Sequence, residues 1–356
     1  MKPNSHETIR PGALIISLDF ELHWGLLNTY PLRAIENRLL GARRAVTAFL
    51  DLFEKYEIHA TWAVVGLLFF RTKKELLDSL PAVRPHGDGQ SVTPYDILET
   101  VGPDERADPY HFAHSLTERI RRTKSQELAT HTFSHFVWDY SGADDGIAFR
   151  SDLRAALHTA GSQRESIASI VFPQNKYYEQ LLEIAEEEGI HAFRGKKDYW
   201  YTFLGSGGKA SRAIFRGLRL LDHHVSISGS NTFTWDSIHN VKPYNIGESW
   251  PLECYTHVPW LAPLEPLRLK RIKKSLNRAA KKQELFHLWW HPHQFGIGLR
   301  RNLDFLERIL DHFQGLRKSH GMMSLNMREV SERVTHFDGS HEAIPQHVSS
   351  KHLRKT

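Results

Sequence analysis

Two carboxylates stand at the end of an apolar run near the start of the chain. The run Leu14–Phe20 is apolar except for Ser17 and Asp19, and Glu21 follows directly. Because residues two apart in a strand point to the same side, Asp19 and Glu21 would project together from the strand's carboxyl end. A strand end that simply turns into solvent gives the same pattern, so the pair alone does not establish a site.

A pair of histidines is the second candidate. His131 and His135 are four residues apart, and on a helical turn both rings would reach one metal ion. The spacing is a weak signal, because 23 histidines in 356 residues give about one or two such pairs by chance. A second pair, His287 and His291, spans the strand-like run Phe286–Trp290, where four residues cover about 13 Å. The first pair is therefore the better metal candidate.

Together these side chains match the donor set of a hydrolytic zinc site. Such a site takes three protein ligands and leaves one position open. Glu21, His131 and His135 would be the ligands, which leaves Asp19 as the base that takes a proton from the attacking water. An acid is also needed for the departing amine, and His291 is the candidate because it ends an apolar strand.

These residues need a framework, and the chain alternates apolar runs with helical patterns. Five runs are predicted to be buried strands, namely Leu14–Phe20, Ile58–Val65, Ser169–Phe172, Leu285–Trp290 and Met322–Leu325. Apolar residues at helical spacing predict helices over Ala34–Tyr56, His111–Lys124, Tyr177–Glu188, Leu267–Lys282 and Asn302–Phe313. The segment Gln126–Thr130 is interpreted as a short link. Alternation of this kind predicts a parallel α/β sheet or barrel.

We predict one barrel domain over residues 10–335, with two insertions on its loop side. The insertions lie near residues 70–109, which contain several Pro and Gly, and near residues 200–266, which are rich in Gly, Ser and aromatic residues. Loops on that side of a barrel usually carry function. The final residues 336–356 are polar and lack periodicity, so they are predicted to be a mobile tail.

Composition narrows the class of protein. The chain is 40% hydrophobic and 24% charged, as in globular proteins, with a net charge of +5. No nucleic-acid-binding motif accompanies this charge. The basic segment Leu267–Lys282 could meet anionic lipid, but a solvated outer barrel helix is the preferred interpretation. One cysteine, Cys254, allows no intramolecular disulfide, and no apolar leader or long apolar run occurs. A cytoplasmic protein without a membrane span is predicted.

The order of the motifs resembles the polysaccharide deacetylase family, the NodB-homology group of carbohydrate esterases (family 4). The resemblance runs from about Leu14 to Val330 and rests on Ser17–Glu21, Ala60–Trp62, His131–His135, Phe172–Asn175 and Trp289–His293. It implies a distorted, TIM-barrel-like (β/α) barrel with about seven strands. It also implies a divalent metal, most often zinc, with Co²⁺, Ni²⁺ or Mn²⁺ as alternatives. The implied reaction is hydrolysis of an N-acetyl group on an amino sugar in a glycan or glycan precursor.

The resemblance also assigns roles to residues of this chain. Asp19 matches the catalytic base, His291 the acid, and the first histidine pair the metal ligands. Many members place the metal-binding carboxylate directly after the base, where this chain has Phe20. A subgroup uses Asp-x-Asp or Asp-x-Glu instead, and Glu21 fits that version.

Two motifs depart from the family. The third usually carries an arginine that orients the base, and the aligned residue here is Val171. Arg194, from the next strand, is the candidate replacement. A backbone N–H in the same motif, that of Gln174, would face the oxyanion. The fourth motif usually supplies an aspartate, for which Asp198 and Asp222 are both candidates.

Substrate contacts are predicted from aromatic and polar residues beside these motifs. Trp24, Trp289, Gln174 and His293 are the candidates, although buried packing is the alternative for the tryptophans. Two other functions stay open. Some relatives open cyclic amides or ureides in the manner of allantoinase. A protein that binds a glycan without turnover is the other, motivated by the missing arginine at Val171.

Overall fold

The computed structural model of the chain describes residues 10–85, 87, 91–138, 145–160, 167–197, 199–238, 242–254 and 263–341. Within these ranges nine strands are present: β1 Ala13–Phe20, β2 Ala60–Val64, β3 Gln126–Thr130, β4 Ser169–Ile170, β5 Ala192–Phe193, β6 Tyr244–Asn245, β7 Trp250–Pro251, β8 Leu285–Trp290 and β9 Met323–Leu325. The helices are α1 Leu32–Lys55, α2 Lys73–Asp78, α3 His114–Arg122, α4 Asp145–Thr159, α5 Glu179–Glu187, α6 Lys209–His224, α7 Glu265–Lys282, α8 Pro292–Phe295, α9 Leu299–His320 and α10 Met327–His341.

The strands form one parallel sheet that curls into a half-barrel. Its order is β6-β5-β4-β3-β2-β1-β8-β7, and β9 pairs with β1. One edge of β1 pairs with β8 from Ala13 to Leu18. The other edge pairs first with β9 and then, from Ile16 to Phe20, with β2. The predicted α/β fold is confirmed, with more strands than the seven or so that the family resemblance implies.

Burial on both faces explains why β1 reads as a continuous apolar run. All eight of its residues are buried. Phe49 of α1 meets the ring of Trp290 on β8 edge-on, with ring centroids 5.6 Å apart, and Phe53 lies tilted against Trp62 of β2. Burial of each such side chain contributes about 1.5–3 kcal/mol. This packed layer of helix against sheet fixes the position of the carboxyl end of β1.

The interpretation of Gln126–Thr130 as a link was wrong, because this segment is strand β3 in the middle of the sheet. The polar residues at the start of β3 interrupt the apolar pattern from which a strand is predicted. The carboxylate of Glu127 is buried, but it accepts hydrogen bonds from the Thr61 hydroxyl (2.6 Å) and the Arg328 amide (3.1 Å). Both hydrogen bonds go to Oε2 of Glu127, and they offset part of the cost of burying this carboxylate within a strand.

The segment 200–266 is more than an insertion of loops. It holds α6 and also β6 and β7, which belong to the sheet. Residues 239–241 and 255–262 of it lie outside the described residues. Helices α4 and α10 were not predicted either. Helix α10 runs to His341 and so includes the first residues of the predicted tail, while residues 342–356 lie outside the described part. The mobility of the tail stays a prediction.

Glu188 joins α4 to the end of α5 and offers a test of this packing. It accepts hydrogen bonds of 2.9 Å from Arg150 and Arg154. Burial alone would raise the pKa of Glu188, but these bonds outweigh burial and lower it. A carboxylate with a lowered pKa contributes stability above its unfolded pKa and loses it as the pH falls through the folded value.

We therefore expect Glu188→Gln to cost about 1–2 kcal/mol at neutral pH. The loss should shrink once the pH falls below about 4. Thermal unfolding of both proteins across this pH range measures it. Glu187→Gln is the matched control, because the Glu187 side chain is 61% exposed although it also pairs with Arg150, and its effect should be smaller. A difference in Tm that did not depend on pH would contradict the assignment.

Candidate metal centre and active site

Glu21 lies just beyond β1 and faces both histidines of the first pair. Its Oε2 is 3.0 Å from Nε2 of His135 and 3.6 Å from Nε2 of His131. Among the described residues, these three form the group whose donor atoms all lie within 4.8 Å of one another, and all three are buried. Gly25 is required beside them, because a Cβ at that position would overlap the Glu21 carboxylate.

The protonation states of the group suit a metal centre. Burial alone would raise the pKa of Glu21, but His291, His131 and His135 outweigh it and hold that pKa well below its usual value. Burial also lowers the pKa of His135, more than Glu21 raises it. An ionised carboxylate beside a neutral imidazole is the state in which both bind metal.

The two histidines lie on a loop, which corrects the expectation of a helical turn. His131 follows β3 directly, and the loop reverses through left-handed backbone at Thr132 (φ 63°) and His135 (φ 60°). The His131 Nδ1–H donates to the carbonyl oxygen of Val171 at 2.6 Å. This hydrogen bond fixes the tautomer that leaves Nε2 free to ligate, as in many zinc sites.

Asp152 of α4 holds this loop in place through hydrogen bonds, and the sequence analysis did not identify it. Its carboxylate accepts the backbone N–H of Phe133 at 2.8 Å, the N–H of Ser134 at 3.2 Å and the Ser134 hydroxyl. Burial raises the pKa of Asp152 to about 6 despite these hydrogen bonds. An aspartate in a helix, 17 residues beyond His135 in the sequence, carries no local signal that would connect it to the site.

Asp19, at the end of β1, is paired with Arg194. Two hydrogen bonds of 2.7 Å join the guanidinium to the two carboxylate oxygens, and both side chains are buried. Burial alone would raise the pKa of Asp19, but Arg194 and then His291 outweigh it and lower the pKa to about 2. Arg194 is the residue directly after β5, and its role as the replacement for the third-motif arginine stays a prediction.

Neighbouring groups hold Arg194 in this orientation. Its guanidinium lies 4.2 Å from the ring centroid of Trp289, within cation–π distance. It donates to Ser17 Oγ (3.1 Å) and to Asn175 Oδ1 (3.1 Å). Ser17 in turn bonds to Nε2 of His287 at 2.8 Å. Burial lowers the pKa of His287 to about 3, so its neutral ring accepts this bond and acts structurally.

His291 and His293 complete the polar cluster around Glu21. Nε2 of His291 is 3.6 Å from Asp19 Oδ2 and 3.7 Å from Glu21 Oε1. Nδ1 of His293 is 3.6 Å from the same Glu21 oxygen. The His291 side chain is 22% exposed, so it can reach a bound molecule, whereas His293 is buried. Both follow β8, next to the carboxyl end of β1.

The other candidate residues lie around two cavities next to this cluster. Trp24 and Gln174 line one of about 290 Å³ together with His135. Trp24 is itself buried, and its Nε1–H donates to the His111 carbonyl at 2.9 Å. Trp289 lines the second cavity, of about 260 Å³. Contact of Trp24, Gln174, Trp289 and His293 with substrate remains a prediction.

Asp222, one of the two candidates for the fourth-motif aspartate, is bonded to other partners. That residue accepts hydrogen bonds from Tyr201 (2.8 Å) and the Ser228 amide (3.0 Å), and it pairs with Arg271. The other candidate, Asp198, lies outside the described residues. Asn175 does contact Arg194, so it shares the task of orienting the guanidinium.

The donor set of Glu21, His131 and His135 fits a divalent metal ion. Two imidazole nitrogens and one carboxylate oxygen are the ligands of several catalytic zinc centres. The hydrogen bond from His131 to the Val171 carbonyl supplies the outer support that such ligands usually have. The chemistry of the three donors does not distinguish zinc from cobalt, nickel or manganese.

No protein-family model and no curated protein matches this chain, but solved structures do. A structure assigned as a polysaccharide deacetylase from Mycobacterium smegmatis superimposes with a TM-score of 0.55 at 13% identity and covers 99% of each chain. One assigned as a polysaccharide deacetylase from Pseudomonas aeruginosa PAO1 gives 0.54 at 11%, over 92% of this chain and 91% of that one. Puue allantoinase gives 0.55 at 10%, over 97% and 96%.

These likenesses define the class of fold. The chain has the parallel (β/α) half-barrel that polysaccharide deacetylase structures also have. The fold expected from the sequence motifs is therefore confirmed. At identities of 10–13% the likeness extends to the fold alone, and membership of the Asp-x-Glu subgroup stays a prediction.

Proposed function

We propose that this chain is a metal-dependent hydrolase that removes the N-acetyl group from an amino sugar in a glycan or glycan precursor. One observation carries the proposal. A buried Glu-His-His donor set stands beside an Asp–Arg pair at the carboxyl ends of the central strands. The carboxyl ends of barrel strands are where such folds perform chemistry, and two of the structures with this fold are assigned as polysaccharide deacetylases.

Each residue has a separate task in the proposed reaction. A divalent metal held by Glu21, His131 and His135 would polarise the acetyl carbonyl and make a nearby water more acidic. Asp19, kept ionised and oriented by Arg194, takes a proton from the attacking water.

The second proton transfer completes hydrolysis. Water oxygen bonds to the acetyl carbon, and the carbon–nitrogen bond then breaks. His291 donates a proton to the departing sugar nitrogen, so the products are acetate and a free amine. Its position 3.6 Å from Asp19, with part of the ring exposed, supports this task.

Acetate release from a panel of N-acetylhexosamine derivatives tests the proposal. We expect release by the Zn²⁺-loaded protein, loss of release with a chelator, and recovery when Zn²⁺ is returned. Assays with cyclic ureides run in parallel, because an allantoinase has the same fold. Ring opening without acetate release would assign the second function. A glycan that binds to the Zn²⁺-loaded protein and is never hydrolysed would overturn both.

A further inference from the structure

Helix α6 exposes large apolar side chains that most proteins bury. Ile214, Leu220 and Leu221 of this helix, with Val225 just after it and Trp200 before it, are 39–59% exposed. Along the helix Ile214, Gly217, Leu221 and Val225 are spaced three or four residues apart, so they form a single stripe. Contiguous exposed apolar surface of this kind marks an interaction site.

Basic residues run beside this stripe. Lys209, Arg212 and Arg216 are exposed and are also three and four residues apart. The only acidic residue of α6 is Asp222, which is buried and paired with Arg271. The solvent-facing side of α6 therefore carries a basic row beside the apolar stripe, and the basic row ends at the exposed Leu220.

From this juxtaposition we propose that α6 is an interfacial helix that docks the protein on an anionic membrane surface. The apolar stripe would enter the boundary of the acyl chains, and the basic stripe would meet lipid phosphates. The positive charge of α6 favours a membrane over a second copy of the chain as the partner. A bilayer rich in anionic lipid complements both this helix and the net charge of +5, whereas a second copy would carry the same charge. Within the described residues no helix can cross a bilayer, so contact would be peripheral.

Helix α7 shows what distinguishes α6. It is also basic, but its apolar residues Leu269, Ile272 and Leu276 are buried against the rest of the protein. It is thus an outer helix of the half-barrel, as the sequence analysis preferred. Basic composition alone does not single out α6, whereas its uncovered apolar stripe does.

The position of α6 connects docking to the candidate active site. Phe215 and Arg219 of α6 line the cavity of about 260 Å³, and Asn175 and Trp289 line it as well. The last two contact Arg194. A membrane under α6 would therefore lie beside a cavity that adjoins the proposed base, where a sugar attached to a lipid could be presented.

Co-sedimentation with lipid vesicles tests docking without any substrate, so its outcome is separate from that of the acetate assay. The probes are vesicles of phosphatidylcholine and vesicles in which anionic phosphatidylglycerol replaces part of it. We expect binding to the anionic vesicles that weakens as salt is raised. The double variant Arg212→Gln/Arg216→Gln should bind about 25-fold more weakly, at about fivefold for each charge. Leu221→Glu should no longer bind.

A gain of binding gives the sharpest comparison. Gly217 lies in the apolar stripe, and apart from its chain neighbours and the adjacent helix backbone no atom lies within 4 Å of a Cβ built on it. Gly217→Leu should therefore bind about tenfold more tightly. Gly315 of α9 is equally open and exposed, and Gly315→Leu should behave as the original protein.

Three results would overturn the proposal. The first is equal sedimentation with both kinds of vesicle. The second is binding by Leu221→Glu that matches the original protein. The third is the absence of vesicle binding together with a dimer, seen in sedimentation velocity, that Leu221→Glu dissociates. The last would assign the stripe to a second copy of the chain.

Discussion

Replacement of Glu21 by glutamine is expected to weaken Zn²⁺ binding more than about 100-fold and to abolish acetate release. Glu21 is the one anionic member of the donor set, and its Oε2 faces both histidines. Glutamine keeps the shape that fits against Gly25, so the fold should persist while the charge that holds the ion is lost. Zinc content after dialysis, measured by elemental analysis, gives the first effect directly.

Two other variants separate ligation from proton transfer. Asp19→Asn should retain zinc and still lose most acetate release, because it removes the base and leaves the donor set complete. Glu54→Gln changes an exposed carboxylate on α1 and should alter neither quantity. If Glu21→Gln kept its full zinc content, the assignment of Glu21 as a ligand would have to be abandoned.

Arg194→Met is expected to have the second large effect, on both stability and turnover. Without the guanidinium the buried carboxylate of Asp19 loses its two hydrogen bonds of 2.7 Å, and loss of one partner of a buried ion pair costs about 3–5 kcal/mol. Acetate release per folded molecule should also fall about 10²–10⁴-fold, the contribution of a positioned base. Arg194→Lys keeps the charge without the bidentate geometry and should give intermediate values.

A second buried arginine provides the matched control. Arg271 pairs with Asp222 and lies 3.4 Å from the ring centroid of Trp250, much as Arg194 lies between Asp19 and Trp289. Arg271→Met should therefore destabilise the protein by a similar amount without changing turnover per folded molecule. Urea denaturation together with initial rates separates the two effects. Equal losses of turnover in the two variants would indicate general damage rather than a task for Arg194 at the base.

The strands with continuous apolar sequence were predictable, because burial on both faces leaves a direct trace in the residues. β8 has the predicted bounds, and β1 begins one residue earlier than expected. β3 was not predicted, because it begins with Gln126 and the hydrogen-bonded Glu127. Apolar periodicity does not predict a strand that contains polar side chains whose hydrogen-bond partners lie in distant parts of the chain.

Part of the candidate site was also predictable from the sequence. Asp19 at the end of β1, Glu21 directly after it and His131 directly after β3 lie close together, because parallel strands end at one edge of the sheet. The sequence could suggest that His131 and His135 cooperate, but not that a loop with left-handed backbone brings them together. Asp152 could not be found, because its link to the loop exists only in three dimensions.

Val171 takes part in the site through its main-chain oxygen alone, which accepts the proton of His131. Every residue type has this atom, so the position tolerates any side chain that fits the core. The guanidinium next to Asp19 arrives instead from the end of the neighbouring strand. A search pattern that demands arginine at the position of Val171 would pass over chains of this kind. A pattern that accepts arginine after either strand would retain them.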